Sequence, residues 1–147
     1  MILKKIINYS TQSINLNDRN SVKIKLKSKY LSSGPKIIEF ENRIKRYVDS
    51  KYCVTTNSAT SGLHLACLAL GLGSKDIVWV TSVSFVASAN CAAYCKAKVD
   101  FIDINPDTFN LSLEALKEKL EKAHKKGNLP KILILVHLGG YPCELRE

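Results

Sequence analysis

The chain has 147 residues, of which 46% are hydrophobic and 24% charged, a composition typical of one compact globular domain. No apolar run approaches the roughly 18 residues of a membrane span, and the lysine-interrupted start is too short for a signal peptide. We therefore predict a cytoplasmic protein without a membrane partner. The net charge of +9 is uneven, because residues 1–51 hold 12 Lys and Arg against 4 Asp and Glu. Such a basic region favours anionic ligands, although a solvated lysine-rich face is the simpler interpretation.

Residues 1–51 lack a strand pattern and are predicted to form a helical arm. Residues 18–29 are a basic helix candidate, and residues 31–35, which contain Gly34 and Pro35, are predicted to be a loop with a fixed turn. After this loop, five apolar residues at helical spacing predict an amphipathic helix. They are Ile37, Phe40, Ile44, Tyr47 and Val48. An arm of this kind has to pack on another part of the structure.

Residues 52–147 alternate short apolar runs with helix-like segments. Strands are predicted at residues 52–56, 77–81, 99–103 and 132–136. Helices are predicted at residues 60–70 and 85–94, and after the capping residue Ser112 up to Gly127. The last strand is apolar at every position, as expected for a strand buried on both faces. Strands separated by helices imply parallel pairing, so we predict an α/β fold with a helix–sheet–helix sandwich.

The cysteine and histidine pattern does not indicate a metal site. The five cysteines are an odd number without a CxxC pair. Cys91 and Cys95 are four residues apart, but a zinc site would need two further ligands in register. We therefore interpret the cysteines as small buried apolar residues, and His64 as a packing residue of its helix.

The sharpest local pattern is the run of small and hydroxylated residues at positions 57–62, between a predicted strand and a predicted helix. Free backbone N–H groups and the positive end of the helix dipole meet at a helix start. Small side chains let a phosphate group approach them, and Ser58, Thr60 and Ser61 add hydroxyl groups. Plain helix capping explains the same residues equally well.

Two further candidates follow predicted strands and should lie at the same edge of the sheet. Phe85 could stack on a planar ring held at the phosphate cradle, although a core phenylalanine is the simpler alternative. His137 follows the last strand, where a buried, hydrogen-bonded structural histidine is the simpler alternative.

Six blocks of this sequence, in register from about Tyr9 onward, resemble the DegT/DnrJ/EryC1/StrS sugar aminotransferases. Residues 57–66 resemble the phosphate loop of that family. The Tyr9-Ser10 pair and the Asn-Ser-Ala-Thr-Ser sequence of this loop most resemble its pseudaminic-acid branch. The other blocks are residues 9–12, 31–35, 83–90, 101–108 and 136–142.

The resemblance implies part of the large three-layer α/β/α domain of a fold-type I transferase, with a mostly parallel sheet and the helical arm at residues 1–51. It implies a pyridoxal 5'-phosphate cofactor whose phosphate contacts Ser58, Ala59 and Thr60 and whose ring stacks on Phe85. It also implies a homodimer with shared sites and a set of contacts to the sugar nucleotide. Those contacts are Tyr9, Lys29, Tyr30, Leu31 and Ser32.

The reaction implied by the resemblance is transamination of a UDP-linked 4-keto-6-deoxy-N-acetyl sugar, with glutamate as amino donor, for surface glycan biosynthesis. No lysine of this chain stands in the block that carries the family's cofactor-bound lysine, so we expect that block beyond Glu147 and expect a truncated, inactive piece of the enzyme. Two rival functions are a non-catalytic phosphate or sugar-nucleotide binding module and nucleic-acid binding through the basic arm. The latter ranks last, because no nucleic-acid reader motif is present.

Overall fold

A computed structural model of the chain describes Asn8 and residues 10–146. It divides into two compact units, the first ending at Thr55 and the second beginning at Thr56. The first unit contains helix α1 (Leu16–Leu26) and helix α2 (Pro35–Tyr47). Across the described part of the chain, no helix has the length and apolar character that crossing a lipid bilayer requires.

Both arm helices begin where the local sequence supplies a start signal. The Asn15 side chain accepts a hydrogen bond from the Asp18 N–H, and the Asp18 carboxylate accepts one from the Asn15 N–H, which forms a capping box for α1. Helix α2 starts with Pro35, directly after Gly34. Gly34 has φ +138°, and a Cβ atom there would lie 2.8 Å from Cβ of Tyr30. The loop between the helices therefore depends on glycine at position 34.

The second unit alternates helices with parallel strands. In chain order these are α3 (Ala59–Ala69), β1 (Ile77–Thr81), α4 (Ala87–Tyr94), β2 (Lys98–Ile102), α5 (Leu113–Lys126), β3 (Ile132–Ile134) and a 3-10 turn (Leu138–Gly140). The strands form one sheet in the order β2-β1-β3, and both pairings are parallel. The predicted α/β class is confirmed.

The side chains of β1 separate two layers of helices. Val78 and Val80 are fully buried on the side of the sheet that α3 and α4 cover, where Cys67, Cys91 and Cys95 complete the packing. Trp79 points to the opposite side and packs with Ala123 of α5. This alternation follows from the two-residue period of a strand, and it gives the predicted helix–sheet–helix sandwich.

Two parts of the strand prediction were wrong. Residues 52–56 form no strand, and none of the described strands pairs with them. The exposure of successive residues still alternates from Tyr52 to Thr55, as it would in a strand. The last strand ends at Ile134, and its residues are half-buried instead of buried on both faces. Among the described strands, β1 alone pairs with β3, so the other edge of β3 stays partly exposed.

Lys119 of α5 fastens the outer strand β2 to the helix above it. Its Nζ atom lies 2.6 Å from Oδ2 of Asp100 and 2.6 Å from the carbonyl oxygen of Phe101, both on β2. The same ammonium group lies 5.1 Å from the ring centroid of Trp79. One lysine therefore neutralises an edge carboxylate, binds an edge carbonyl and covers the tryptophan of the core.

We predict that Lys119→Met lowers the free energy of unfolding by about 1 kcal/mol, because three contacts of one ammonium group disappear together. Lys122→Met is the matched control on the same helix. Lys122 makes an exposed ion pair with Glu118, so its loss should cost less than about 0.5 kcal/mol. Urea unfolding followed by the fluorescence of Trp79, the only tryptophan of the chain, measures both values.

The Lys119 contact also has a pH signature. The hydrogen bond from Lys119 holds the pKa of Asp100 below its ordinary value. A lowered pKa in the folded state means that the stabilisation is present at neutral pH and is lost as pH falls through that pKa. The stability difference between wild type and Lys119→Met should therefore shrink on acidification. Equal losses of unfolding free energy in Lys119→Met and Lys122→Met would contradict this account. So would a stability difference between wild type and Lys119→Met that grows as the pH falls.

Candidate functional site

The start of α3 is organised by hydroxyl groups. The Ser58 backbone is extended, and its side chain accepts a hydrogen bond from the Ser61 N–H at 3.2 Å, which caps the helix. The Ser61 hydroxyl donates to Oδ1 of Asn57 at 2.9 Å. The predicted hydroxyl-rich turn is therefore present, with Ser58 as the capping residue.

Ala59 and Thr60 provide the free donors at this helix start. They are the first two residues of α3, and no acceptor among the described residues receives a hydrogen bond from their backbone N–H groups. The first turn contains no acidic residue that would repel an anion. Two N–H donors and the positive end of the helix dipole thus meet at one point.

Thr56 and Gly62 fix the shape of this turn. The Thr56 hydroxyl donates to the Ser58 carbonyl oxygen at 2.9 Å, and the Gly62 N–H donates to the same oxygen at 3.1 Å. A Cβ atom at position 62 would lie only 3.3 Å from Oγ1 of Thr56. Glycine at this position therefore leaves room for the threonine that holds the capping residue.

Phe85 lies in the loop between β1 and α4, at the carboxyl edge of the sheet. It is 74% exposed, so it is not the core phenylalanine of the simpler alternative. At the end of β1, before this loop, the buried hydroxyl of Thr81 has no hydrogen-bond partner among the described residues. The loop is tied back by Ser84, whose hydroxyl donates to the Thr81 carbonyl oxygen.

His137 is held by the backbone turn that follows β3. Its Nδ1 atom accepts a hydrogen bond from the Cys143 N–H at 3.0 Å, which places the ring proton of the neutral form on Nε2. The buried Asn110 side chain donates to the carbonyl oxygens of Tyr141 and Pro142 and accepts from the Leu138 N–H. His137 is therefore hydrogen-bonded, but it is exposed, so the burial expected of a structural histidine was wrong.

The thiols of α3 and α4 belong to the core. Cys67, Cys91 and Cys95 are buried, and burial, with a hydrogen bond to Cys91, raises the pKa of Cys67 to about 12. The described residues contain no cluster of three or more metal-ligating side chains. His64 packs edge-on against Tyr94, with ring centroids 5.3 Å apart. The predictions are confirmed for these three cysteines and for His64, whereas burial was wrong for Cys53 and Cys143, which are partly exposed.

The predicted sugar-nucleotide contacts lie in the first unit. Lys29, Tyr30, Leu31 and Ser32 are all exposed in the loop between α1 and α2. The Ser28 hydroxyl donates to the Tyr30 carbonyl oxygen at 3.0 Å and shapes this loop. Tyr9, the remaining predicted contact, lies outside the described residues.

The sequence profile of the DegT/DnrJ/EryC1/StrS aminotransferase family matches residues 12–147. The chain belongs to this family. Among curated relatives, it is 42% identical to the UDP-4-amino-4,6-dideoxy-N-acetyl-beta-L-altrosamine transaminase of Campylobacter jejuni, over 97% of this chain and 36% of the relative. It is 37% identical to the GDP-perosamine synthase of Caulobacter vibrioides, over 88% of this chain and 33% of the relative. The chain thus spans about a third of the length of these relatives.

Solved structures agree with this assignment. Helicobacter pylori PseC, an aminotransferase involved in the biosynthesis of pseudoaminic acid, superposes with a TM-score of 0.83 at 26% identity, over 95% of this chain and 36% of that protein. Bacillus subtilis NtdA, solved with bound PMP, superposes with a TM-score of 0.74 at 27% identity, over 86% of this chain and 28% of that protein. The resemblance to the family and the fold class that it implied are confirmed.

The residues at the start of α3 fit the phosphate of such a cofactor. The N–H groups of Ala59 and Thr60 have no acceptor in the described part of the chain, Ser58 caps the helix, and Gly62 has no side chain that would crowd the turn. Phe85 is exposed in a loop at the carboxyl edge of the sheet, as a ring-stacking residue requires.

Proposed function

We propose that this chain forms the cofactor-phosphate-binding part of a pyridoxal 5'-phosphate-dependent aminotransferase that acts on a nucleotide-linked sugar. The observation that carries the proposal is the pair of N–H groups of Ala59 and Thr60, which have no acceptor among the described residues, at a helix start without acidic residues. Family membership over residues 12–147 supports the same function. We place the reaction in the cytoplasm, where the free cysteines would stay reduced.

Each residue of the cradle has a distinct task in this proposal. Ala59 and Thr60 donate backbone hydrogen bonds to the phosphate, and the Thr60 hydroxyl donates a third. Ser58 caps α3 and orients its first turn. Phe85 stacks on the pyridine ring and limits its rotation about the phosphate anchor. The bound cofactor supplies the electron sink that amino-group transfer requires.

The substrate is proposed to be a UDP-linked 4-keto-6-deoxy-N-acetyl sugar, with glutamate as amino donor. The 42% identity to the Campylobacter jejuni enzyme supports this choice over the GDP-linked sugar in the name of the Caulobacter vibrioides relative. We propose Tyr9 and residues 29–32 as contacts to the sugar nucleotide, where Lys29 suits a diphosphate. A lower Kd for UDP-N-acetylglucosamine than for GDP-mannose would support this choice, and the reverse order would contradict it.

Loss of the Ser58 hydroxyl should weaken phosphate recognition specifically. We expect Ser58→Ala to raise the Kd for pyridoxal 5'-phosphate roughly fivefold, because the capped turn that presents the two N–H groups loosens. The Kd for pyridoxal, which lacks the phosphate, should not change. Isothermal titration calorimetry of the 147-residue chain with both compounds measures the difference.

Ser112→Ala is the matched control for the Ser58 prediction. Ser112 caps α5 through the Ala115 N–H at 3.2 Å, the same contact that Ser58 makes in α3. Both variants should lose about 1 kcal/mol of stability, but Ser112→Ala should keep the wild-type Kd. An equal rise of Kd in both variants would assign the effect to general destabilisation.

Truncation of Phe85 should affect both compounds. We expect Phe85→Ala to raise the Kd for pyridoxal 5'-phosphate and for pyridoxal by roughly the same factor, about threefold to tenfold, because the ring contact is common to both. Phe85→Tyr should restore binding. Phe109→Ala, which removes another exposed phenylalanine of the same unit, is the control and should have no effect. Unchanged binding in Phe85→Ala would exclude stacking at this position.

We also propose that two copies of the enzyme associate through the exposed side of α3. This helix carries no charged residue, and Leu65 and Leu68 are about half exposed. An apolar helix is normally covered on all sides, so another surface is expected to bury these leucines.

Light scattering after size-exclusion chromatography should show that the wild-type chain associates and that Leu65→Glu dissociates it. Leu129→Glu is the control, because Leu129 has a similar exposure but follows α5. A wild-type chain that is monomeric at all concentrations would contradict the proposed interface.

A further inference from the structure

The outer edge of β2 carries the backbone groups that do not pair with β1. The Lys98 N–H donates to the residue before β1, and the Ile102 carbonyl oxygen accepts from the residue after β1. Because backbone groups alternate in direction along a parallel strand, the N–H and C=O groups of Val99 and Phe101 point away from β1. None of the described strands pairs with this side of β2. A further strand would have to bond these groups.

Both outward groups of Phe101 are already bonded to charged side chains. Its N–H donates to Oδ1 of Asp100 at 2.8 Å, and its carbonyl oxygen accepts from Nζ of Lys119 at 2.6 Å. The Nζ atom also lies 2.6 Å from Oδ2 of Asp100. One ion pair therefore occupies both the donor and the acceptor with which Phe101 would bond another strand.

Directly after β2, the chain covers the edge of the sheet itself. The carbonyl oxygen of Asp103, two residues after Phe101, accepts the Ser112 N–H at 2.9 Å. The next residue, Ile104, forms an antiparallel bridge with Leu111. The loop before α5 thus protects the continuation of the strand, and the ion pair protects β2.

The edge of β3 has no comparable cover. The Lys131 N–H donates toward β1, so the backbone groups of Ile132 and Ile134 point away from it. In the part of the chain that the structure describes, no side-chain hydrogen bond reaches the backbone of these two isoleucines. Closure by charged side chains is therefore a specific feature of the β2 edge.

Without this cover, β2 has the properties of a strand that associates. Val99 and Phe101 are residue types that favour strands, and the Phe101 side chain is 51% exposed. An exposed edge with apolar side chains is a template for pairing with another chain, and a lysine on the edge is a common way to prevent it.

We propose that the ion pair of Lys119 and Asp100 closes the β2 edge against strand pairing with β2 of a second copy of this chain. Two identical edges can pair about a twofold axis, which bonds the open groups of both strands at once. Antiparallel pairing centred on Val99 would place Lys98 of each copy opposite Asp100 of the other, a favourable cross-strand pair. This inference does not depend on the proposed cofactor site.

The test is the association of the 147-residue chain, followed by light scattering over time. Lys119→Met opens the Phe101 carbonyl oxygen and should raise the initial rate of association about tenfold over wild type. Asp100→Ala opens the Phe101 N–H and should act in the same direction. Lys119→Arg keeps the charge and its donors and should stay within about twofold of wild type.

Ser58→Ala is the control for loss of stability. It removes the cap of α3 and has the same expected cost in unfolding free energy as Lys119→Met, but it leaves the cover of β2 in place. The edge of β3 and the exposed leucines of α3 are the same in all variants. A difference between Lys119→Met and Ser58→Ala therefore reports on β2.

Hydrogen exchange followed by mass spectrometry shows which edge has paired. In the associated form of Lys119→Met, the amides of Val99 and Phe101 should exchange more slowly than in the freshly prepared variant, because a second strand now bonds or covers them. Slower exchange confined to residues 132–134 would place the contact at β3 and overturn the proposal.

The remaining outcomes are also decisive. If Lys119→Met associates no faster than Ser58→Ala, the ion pair only stabilises the fold and the proposal is overturned. Far-UV circular dichroism checks that each variant is folded. If Lys119→Met misfolds, the comparison of Asp100→Ala with Lys119→Arg takes its place, and equal rates in these two variants would overturn the proposal.

Discussion

The whole second unit depends on burial of one short strand. Strand β1 is hydrogen-bonded along both edges, by β2 and by β3, and Val78, Val80 and Thr81 are fully buried. Helices can cover both faces of the sheet because the side chains of this strand alternate between the two layers. The parallel pairing then brings the loops that follow the strands to one edge, where Phe85 and His137 lie. The packing of the core therefore determines which edge of the sheet carries the loops that can bind a ligand.

In both units, a few polar side chains each make several bonds to the backbone or to other side chains. Asn110 bonds three backbone groups of the turn after β3, Lys119 contacts an edge carboxylate, an edge carbonyl and an indole ring, and Glu41 accepts two bonds from Thr55. A side chain that makes several hydrogen bonds restrains several groups, while the conformational entropy of only one side chain is lost. Irregular segments can therefore have defined positions without strand pairing.

Much of this architecture could be predicted from the sequence because local pattern and packing agree in the second unit. The bounds of β1 were predicted correctly, and Ser112 and Gly127 mark the ends of α5 as their helix-end propensities require. Residues 52–56 have the composition of a strand, but strand formation also needs a neighbouring strand, which local composition cannot supply. The partial exposure of β3 has the same origin.

The candidate site was predictable in part. The small residues and hydroxyl groups of the turn at residues 57–62 are a local signal, and they identified the helix start and its cap. The hydrogen bonds between Glu41 and Thr55 were missed, because the two residues lie 14 positions apart and no local pattern links a helix glutamate to that threonine. The sequence equally gives no sign that the Thr81 hydroxyl is buried without a partner among the described residues, since this follows from tertiary packing alone.

The buried thiols have a practical consequence for anyone who labels this protein. Of the five cysteines, Cys67, Cys91 and Cys95 are enclosed between α3, α4 and the sheet, whereas Cys53 and Cys143 are partly accessible. Alkylating reagents attack the thiolate, and burial keeps Cys67 in the protonated form. The folded chain should therefore accept maleimide dyes at two positions, one before α3 and one after β3. A fluorescence-transfer pair can be attached there without any engineered cysteine.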